Sequence, residues 1–298
     1  MRIAIVSAAA DRHARQLAAA FGQRNVDTVA MRLSDILFDT GARHGLILPQ
    51  FGEELPDAVC LRTMDGGTFE GVTRRLAVLH ALRAMGVLVS NDARAVEICT
   101  DKSATSFRLA AAGIPTPRSH AVETRHAAAA ILRAAPCPLV LKPLFGAQGK
   151  GIRLIRHVED LPEAEDVGGV YYLQELVDTR RDGAWQDYRL MVSRGRVVAA
   201  MMRRSASSFI TNIKQGAAAL PTGRDAVLEQ LAVAAAQAVG ADFCGIDLIR
   251  AADGTPFVIE VNSMPAWTGL EEATGLDIAA IRAGDLLAQL DRPIRRAG

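Results

Sequence analysis

The stretch GIDLIRAADGTPFVIEVNSMPAW, residues 245–267, reads as two apolar strands around an Asp-Gly turn. Strands that are apolar on both faces are buried on both faces, yet Asp247, Glu260 and Asn262 interrupt these two. If Asp253-Gly254 is a two-residue hairpin loop, the ladder sets Asp247 directly opposite Glu260. The period of two puts Asn262 on the same face, opposite Gly245, which has no side chain to fill the space. Facing carboxylates repel, and burying them unpaired is costly. A hard divalent cation removes the conflict. Oxygen donors without His or Cys select Mg²⁺ or Mn²⁺ over zinc, and so few protein ligands leave positions for water and phosphate oxygens. A three-residue loop would shift the pairing by one and separate the carboxylates unless a bulge restored it. The competing reading is a solvated polar face, or salt bridges to nearby arginines; the apolar residues around these positions argue against it.

The rest of the chain bounds what such a pocket can serve. Its 298 residues are half hydrophobic and carry a formal net charge of +1, enough for two or three lobes with a sizeable core and with no single-sign surface for nucleic acid. The start, MRIAIVSAAADRHARQ, reads as a strand and an Asp-initiated helix rather than a signal peptide, and no apolar run is long enough to span a bilayer. The expectation is a soluble, cytoplasmic protein with no membrane partner and the option of a homo-oligomer. Cys60, Cys99, Cys137 and Cys244 lack metal-binding spacing and read as reduced core thiols. Lysine occurs only at Lys102, Lys142, Lys150 and Lys214, every other basic side chain being arginine. A chain with that preference keeps lysine where a compact point charge is wanted.

Over the first hundred residues, short β-rich runs (3–6, 26–31, 58–61, 87–89) alternate with helical stretches such as 70–85, the pattern of a parallel α/β sheet. A second unit begins near Asn91. Its TDKSATSFRLAAAGIPTP is a helix capped by Thr100 or Asp101 and stopped by Gly113, Pro115 and Pro117. An alanine-rich helix over about 124–134, the strand PLVLKPL, the loop FGAQGKG and the strand IRLIRHV follow. From about Tyr171 the chain is again β-rich, with a hairpin turn at Arg194-Gly195 and a mostly apolar helix over 224–239. The basic tail DRPIRRAG has no assigned role.

The loop carries Gly146, Gly149 and Gly151 with Lys142 and Lys150. Without Cβ atoms its backbone can approach a ligand closely, and its N–H groups with two ammonium groups can hold phosphate oxygens. It lacks GK[ST] and precedes a strand, so it is no Walker A loop. Its alternative is a glycine-rich hairpin turn with exposed lysines; the strand–loop–strand context and the rarity of lysine favour phosphate. The segment LQELV offers backbone groups to a purine, or is an ordinary strand end. Asp187 and Arg189 share a strand face and could meet ribose or phosphate, or pair structurally. Arg203 and Arg204 close an apolar strand, where one could clamp an anionic centre.

Taken in order, TDKSATSFRLAAAGIPTP, LKPLFGAQGKGI, QELV, DYRLMVSRGRVVAAMMRR, FITNIKQGAA, GIDLI and VIEVNSMPAWTGLEEATGLDIA resemble the ATP-grasp superfamily, and within it the RimK-like α-L-glutamate ligase family. The resemblance covers about residues 90–280. It implies an α/β fold with α+β lobes: an N-terminal parallel-sheet domain (1–95), a central lobe with the glycine-rich lid (96–176) and a C-terminal lobe with the metal site (177–298). Two antiparallel-sheet lobes then enclose ATP. Position by position it implies that Lys102, Lys142, Gly146, Gly149, Lys150 and Gly151 meet the ATP phosphates, Glu175 and Leu176 the adenine, Asp187 the ribose, and Asn212 the phosphates. Arg189 and Arg204 would hold the reacting phosphate or acyl phosphate. Asp247, Glu260 and Asn262 would bind Mg²⁺ (or Mn²⁺). The implied activity joins a carboxylate to the amine of L-glutamate through an acyl phosphate. A small-molecule acceptor is favoured, a pterin-type cofactor such as tetrahydromethanopterin, because PAWTGL stands where the family commonly has PGLEG; Trp267 there could stack on a flat ring or be a packed strand-end aromatic. The alternatives are another amine, glutamylation of a protein C-terminus, or a non-catalytic nucleotide-binding module. Ile210 also departs from the family pattern, which usually has Arg there, and so shifts attention to Lys214.

Overall fold

The computed structural model describes residues 1–8, 11–146 and 149–291. Residues 147 and 148 of the glycine loop, and the tail from 292, lie outside the described residues. The chain opens with β1 (Arg2–Val6), α1 (Arg12–Gly22), β2 (Asp27–Met31), the short β3 (Leu37–Phe38) and β4 (Leu46–Ile47), then β5 (Ala58–Leu61), α2 (Phe69–Ala84) and β6 (Leu88–Ser90). The four longer strands form a parallel sheet in the order β2-β1-β5-β6. β1 and β5 are nearly continuous apolar runs, as strands covered on both faces must be. Side-chain caps start the helices: Asp11 accepts the amide of Ala14 and Thr68 that of Gly71, satisfying donors that a helix leaves unpaired.

Next come α3 (Ala93–Thr100), α4 (Lys102–Ala111), β7 (Ser119–Val122), α5 (Arg125–Ala134), β8 (Leu139–Lys142), β9 (Arg153–Ile155) and β10 (Tyr171–Glu175). Asp101, not Thr100, caps α4: its Oδ1 accepts from the amides of Ser103 (2.7 Å) and Ala104 (3.1 Å). Thr100 ends the preceding helix and donates back to Val96 O. The strands form an antiparallel sheet ordered β7-β10-β8-β9.

The last part contains β11 (Trp185–Ser193), β12 (Arg196–Ser205), β13 (Ala218–Pro221), α6 (Ala226–Val239), β14 (Phe243–Arg250), β15 (Pro256–Asn262), α7 (Thr268–Thr274) and α8 (Ile278–Leu290). Its antiparallel sheet runs β13-β12-β11-β14-β15. No helix among the described residues is long and apolar enough to cross a membrane. The four cysteines are free, and burial raises the Cys99 thiol to about 12, which leaves it un-ionised.

Asn91 and Trp267 join the parallel sheet to the last one. Asn91 is 1 % exposed; its Oδ1 accepts from the amides of Asp242 and Phe243, both at 2.8 Å, and its Nδ2 donates to Phe243 O. Trp267, also 1 % exposed, packs 4.3 Å from the His13 ring and 5.8 Å from Phe243, with the Arg62 guanidinium 5.2 Å from its centroid. Its indole N–H donates to Gln16. The expectation that Trp267 could stack on a flat acceptor is therefore corrected: its faces are spent on α1 and β14.

Candidate active site

The hairpin that opened the sequence reading is built differently from the simple expectation, with the same result at its centre. Ala251 and Thr255 close a three-residue loop, with Ala251 N donating to Thr255 O and Gly254 N to Ala251 O. Gly254 takes φ 91°, a conformation that favours glycine. The ladder then pairs Arg250 with Pro256 and Leu248 with Val258, one register away from a two-residue loop. Ile259 is the extra residue of a bulge, after which Asp247 faces Glu260 and Gly245 faces Asn262. The amide of Val258, beside the bulge, donates to Pro115 O at 2.8 Å, tying the bulged strand to the end of α4.

One face of this sheet forms the floor of a cleft that is open to solvent and bounded opposite by β8, β10 and the glycine loop, the concave kind of site in which small-molecule ligands bind. Across the floor, Asp187 is paired in register with Arg203, Arg189 with Asp247, and Asp247 with Glu260. The side chains form an alternating row. Arg203 grips Asp187 through Nε (2.6 Å) and also lies 3.0 Å from Asp247. Arg189 grips Asp247 with two bonds of 2.7 Å, and Thr211 donates to Asp187 at 2.7 Å. Burial disfavours the Asp247 carboxylate, but Arg189 and Arg203 outweigh it and hold the group at about 2. These two arginines and two aspartates balance each other. Glu260 forms no salt bridge among the described residues, and it shares the cleft with Lys102, Lys142 and Lys150. Glu175 also lines the cleft without a salt bridge among the described residues, so two carboxylates stand against three ammonium groups and the cleft keeps a net positive charge, as an anionic ligand requires.

The opposite wall places the lysines. Lys142, 9 % exposed, ends β8 and donates to Gln174 at 2.6 Å. Burial lowers its ammonium from the usual lysine value to about 8; Glu260 opposes the shift and Lys102 adds to it. Lys102 opens α4 and reaches Gly146 O at 2.9 Å. Gly149 and Gly151 both take φ 73°, and a Cβ on Gly149 would stand 2.7 Å from Asn212 Oδ1 and 2.9 Å from Ile210. Gly149 thus lies against the Ile210–Asn212 segment, an approach open only to a residue without a side chain. Leu176, Val177, Trp185, Ile249 and Ile259 supply an apolar end to the cleft. Glu175 and Leu176 donate their amides to Arg118 O and Pro138 O, so those donors belong to the sheet; Val177, the next residue, lines the cleft.

Several expectations change. Arg204 does not join the row: it reaches Asp182 O at 3.4 Å, away from the cleft lining, and Arg203 holds the place expected of it. An extra residue, Val198, shifts the β11–β12 register between Met191–Ala199 and Val192–Val197, and this exchanges the faces of the two arginines. Asp187 lines the cleft but gives its oxygens to Arg203 and Thr211 rather than presenting them to a ribose. Lys214 is exposed and lies outside the residues that line the cleft. No cluster of three or more His, Cys, Asp or Glu able to hold a metal occurs among the described residues; the oxygen set is two carboxylates and one amide. It still fits a hard cation. Among the described residues Glu260 forms no salt bridge, Asn262 Oδ1 accepts only the Met264 amide (2.9 Å), and Asp247 Oδ1 takes one donor from Arg189, so each retains a lone pair.

Comparison with known proteins adds to this geometry. The RimK-like ATP-grasp domain profile matches residues 99–284. A tetrahydromethanopterin:α-L-glutamate ligase of Methanosarcina acetivorans is 29% identical over 286 residues, covering 84% of this chain and 86% of its own. A probable α-L-glutamate ligase of Psychromonas ingrahamii is 34% identical over 238 residues, with 77% and 76% covered. Among solved structures, the ATP-grasp ligase PsnB complexed with minimal precursor, Mg and ADP superposes with a TM-score of 0.72 at 21% identity, over 97% of this chain and 98% of that one. Other chains of the fold are solved with precursor, leader or core peptides. The expectation of a small-molecule partner is corrected by these complexes, in which the bound substrates are peptides. The profile spans more than half of the sequence, and the chain belongs to the RimK-like family of ATP-grasp ligases.

Proposed function

We propose that this ATP-dependent carboxylate–amine ligase adds L-glutamate to a carboxylate of a peptide or protein chain, its C-terminus above all, through an acyl phosphate. The observation that carries the ligase chemistry is the cleft floor, where a self-neutralised Arg/Asp row lies beside Glu260, which forms no salt bridge among the described residues and shares the cleft with buried Lys142. The names of the relatives support glutamate as the amine, and the peptide complexes of the same fold support the acceptor.

In this reading Lys102, Lys142 and Lys150, with the amides of the glycine loop and Asn212, hold the ATP phosphates. The apolar end of the cleft, beside Glu175 and Leu176, takes the adenine. Glu260, Asn262 and Asp247 would hold Mg²⁺, which when bound would offset the charge of the phosphate oxygens. Arg189 and Arg203 fix the Asp247 carboxylate and present positive charge beside the transferring phosphate. The acceptor carboxylate attacks the γ-phosphorus and ADP leaves. The glutamate amine then attacks the acyl carbon, the C–N bond forms, and phosphate departs. The protein contributes positioning, charge stabilisation and exclusion of water from the hydrolysable acyl phosphate.

Lys142 makes the phosphate site pH-sensitive. Its folded value of about 8 lies below that of an unfolded lysine, so the folded state carries an ionisation cost. That cost is complete below about pH 8 and disappears as the unfolded lysine also loses its proton near pH 10.4. Nucleotide binding needs the ammonium form. ADP affinity should therefore fall above about pH 8, by up to roughly tenfold per pH unit, and binding near that pH should take up protons, read as a buffer-dependent heat in titration calorimetry. A dissociation constant that stays flat up to about pH 9.5 would remove Lys142 from the phosphates.

The activity is tested by incubating the protein with ATP, Mg²⁺, L-glutamate and peptides whose C-terminus is free or amidated. ADP release that requires both glutamate and the free carboxylate supports the reading. Release that ignores the amidation places the reacting carboxylate elsewhere on the acceptor.

A further inference from the structure

The phosphate-facing reading of Lys142 leaves one buried side chain beside it without a task. Gln174, 3 % exposed, accepts the Lys142 ammonium on Oε1 at 2.6 Å and turns its Nε2 toward Ser119 Oγ (3.1 Å) and Tyr172 OH (3.4 Å). Proton bookkeeping fixes every member of this group. Ser119 has one hydroxyl proton, and Pro117 O, an acceptor only, takes it at 2.9 Å. Ser119 Oγ must therefore accept from its other neighbours. The Tyr172 proton goes to Ser119 at 3.2 Å, so the Ser106 hydroxyl must donate to Tyr172 across their 2.7 Å contact. Both oxygens that face Gln174 are then acceptors toward it, and the amide can meet them only with its NH₂ group. A flipped amide would also aim N–H at an ammonium.

We propose that Gln174 is a positioning residue for nucleotide binding: a relay anchored on the Pro117 carbonyl locks its amide so that Oε1 holds the Lys142 ammonium toward the phosphates. The relay also reaches α4. Ser106 lies four residues after Lys102, one helical turn on, so the same set of bonds ties the strand bearing Lys142 to the helix bearing Lys102. Tyr172 is the register partner of Lys142, which makes β10 the shared support of both lysines. Buried networks in which every donor and acceptor is used hold a single arrangement, because each alternative leaves a polar group unpaired. Gln174 borders the cleft, but its polar atoms are taken by Lys142, Ser119 and Tyr172, so in this account it acts through Lys142.

The inference rests on the reading that Lys142 meets phosphate, and the experiment separates the two. Dissociation constants for Mg·ADP are measured for the folded wild type, Gln174→Met, Gln174→Glu, Ser119→Ala and Lys142→Ala. Gln174→Met keeps length and volume while removing both polar atoms, and should weaken ADP binding about 10-fold or more, the weight of a hydrogen bond to a charged group. Gln174→Glu restores an oxygen beside Lys142 and should recover affinity to within about 3-fold of wild type. Ser119→Ala leaves the Lys142 contact but frees the amide, and should cost less than Gln174→Met, about 3-fold. A purely structural role would lower thermal stability in all three relay variants while their affinities stayed together. The relay is overturned if Gln174→Met and Ser119→Ala bind ADP like wild type, or if Gln174→Glu is as weak as Gln174→Met, while Lys142→Ala still loses affinity. Unchanged affinity in Lys142→Ala overturns the phosphate reading and the relay with it.

Discussion

Glu260→Gln is expected to remove nearly all Mg²⁺-dependent turnover, by about 10³-fold, the effect of several kcal/mol of lost charge stabilisation. The substitution keeps shape, removes the charge and turns one acceptor oxygen into an NH₂ donor that cannot bind a cation. Glu260 has no arginine partner among the described residues, whereas Asp247 is committed to Arg189 and Arg203. The fold should survive, because no salt bridge of the described residues is broken, and melting temperature checks this. The variant should also need more Mg²⁺ for its residual rate. A variant with wild-type turnover at the same Mg²⁺ concentration would show that the facing pair on β14 and β15 does not hold the cation.

The second large effect is on stability. Arg203→Leu should destabilise the protein by about 3–5 kcal/mol, because it leaves Asp187 without its arginine and removes one of the two from Asp247 in a buried setting. Asp187 and Arg203 have side chains only 5% and 3% exposed. Arg204→Leu, one residue along, removes a single 3.4 Å contact to a backbone carbonyl and should shift stability by less than about 1 kcal/mol. Denaturant unfolding of the two variants side by side reads the contrast. Equal losses would mean that the charge row is not what holds the floor together.

That contrast also shows what the sequence could reveal. The facing of Asp247 and Glu260 was legible from strand period and hairpin geometry, and the oxygen-only donor set pointed to the class of cation. The loop length was not. Ala252, Asp253 and Gly254 make a three-residue loop, and the bulge at Ile259 cancels the one-step shift. An apolar bulge residue looks like any other residue of an apolar strand, so nothing local announces it. At β12 the same kind of event had the opposite consequence. An unbulged ladder from Arg194-Gly195 puts Arg204 on the face of Asp187; the extra Val198 gives that face to Arg203. Adjacent identical residues on a strand are separated only by register, and register here depends on one bulge.

Trp267 and Gln174 were hidden for different reasons. Trp267 is buried by His13, Gln16 and Arg62, which lie in the first sheet's neighbourhood more than two hundred residues away in sequence, and no local pattern foretells that contact. Gln174 stands in LQELV, where attention falls on the backbone as a purine edge; its proposed role comes from Ser119 across the ladder and Tyr172 two residues back on the same strand. The glycine loop was legible for a simpler reason: two of its glycines occupy φ 73° with no room for a Cβ, and in an arginine-rich chain its lysines stand out.

The central claim is that the cleft joins L-glutamate to a peptide carboxylate at the expense of ATP. The most direct test is the mass spectrum of a free-carboxylate peptide after incubation with the protein, ATP, Mg²⁺ and L-glutamate, beside the Glu260→Gln variant. A gain equal to one or more glutamyl residues, absent in the variant and absent without ATP, is the predicted result; an unmodified peptide alongside glutamate-independent ATP turnover would contradict it.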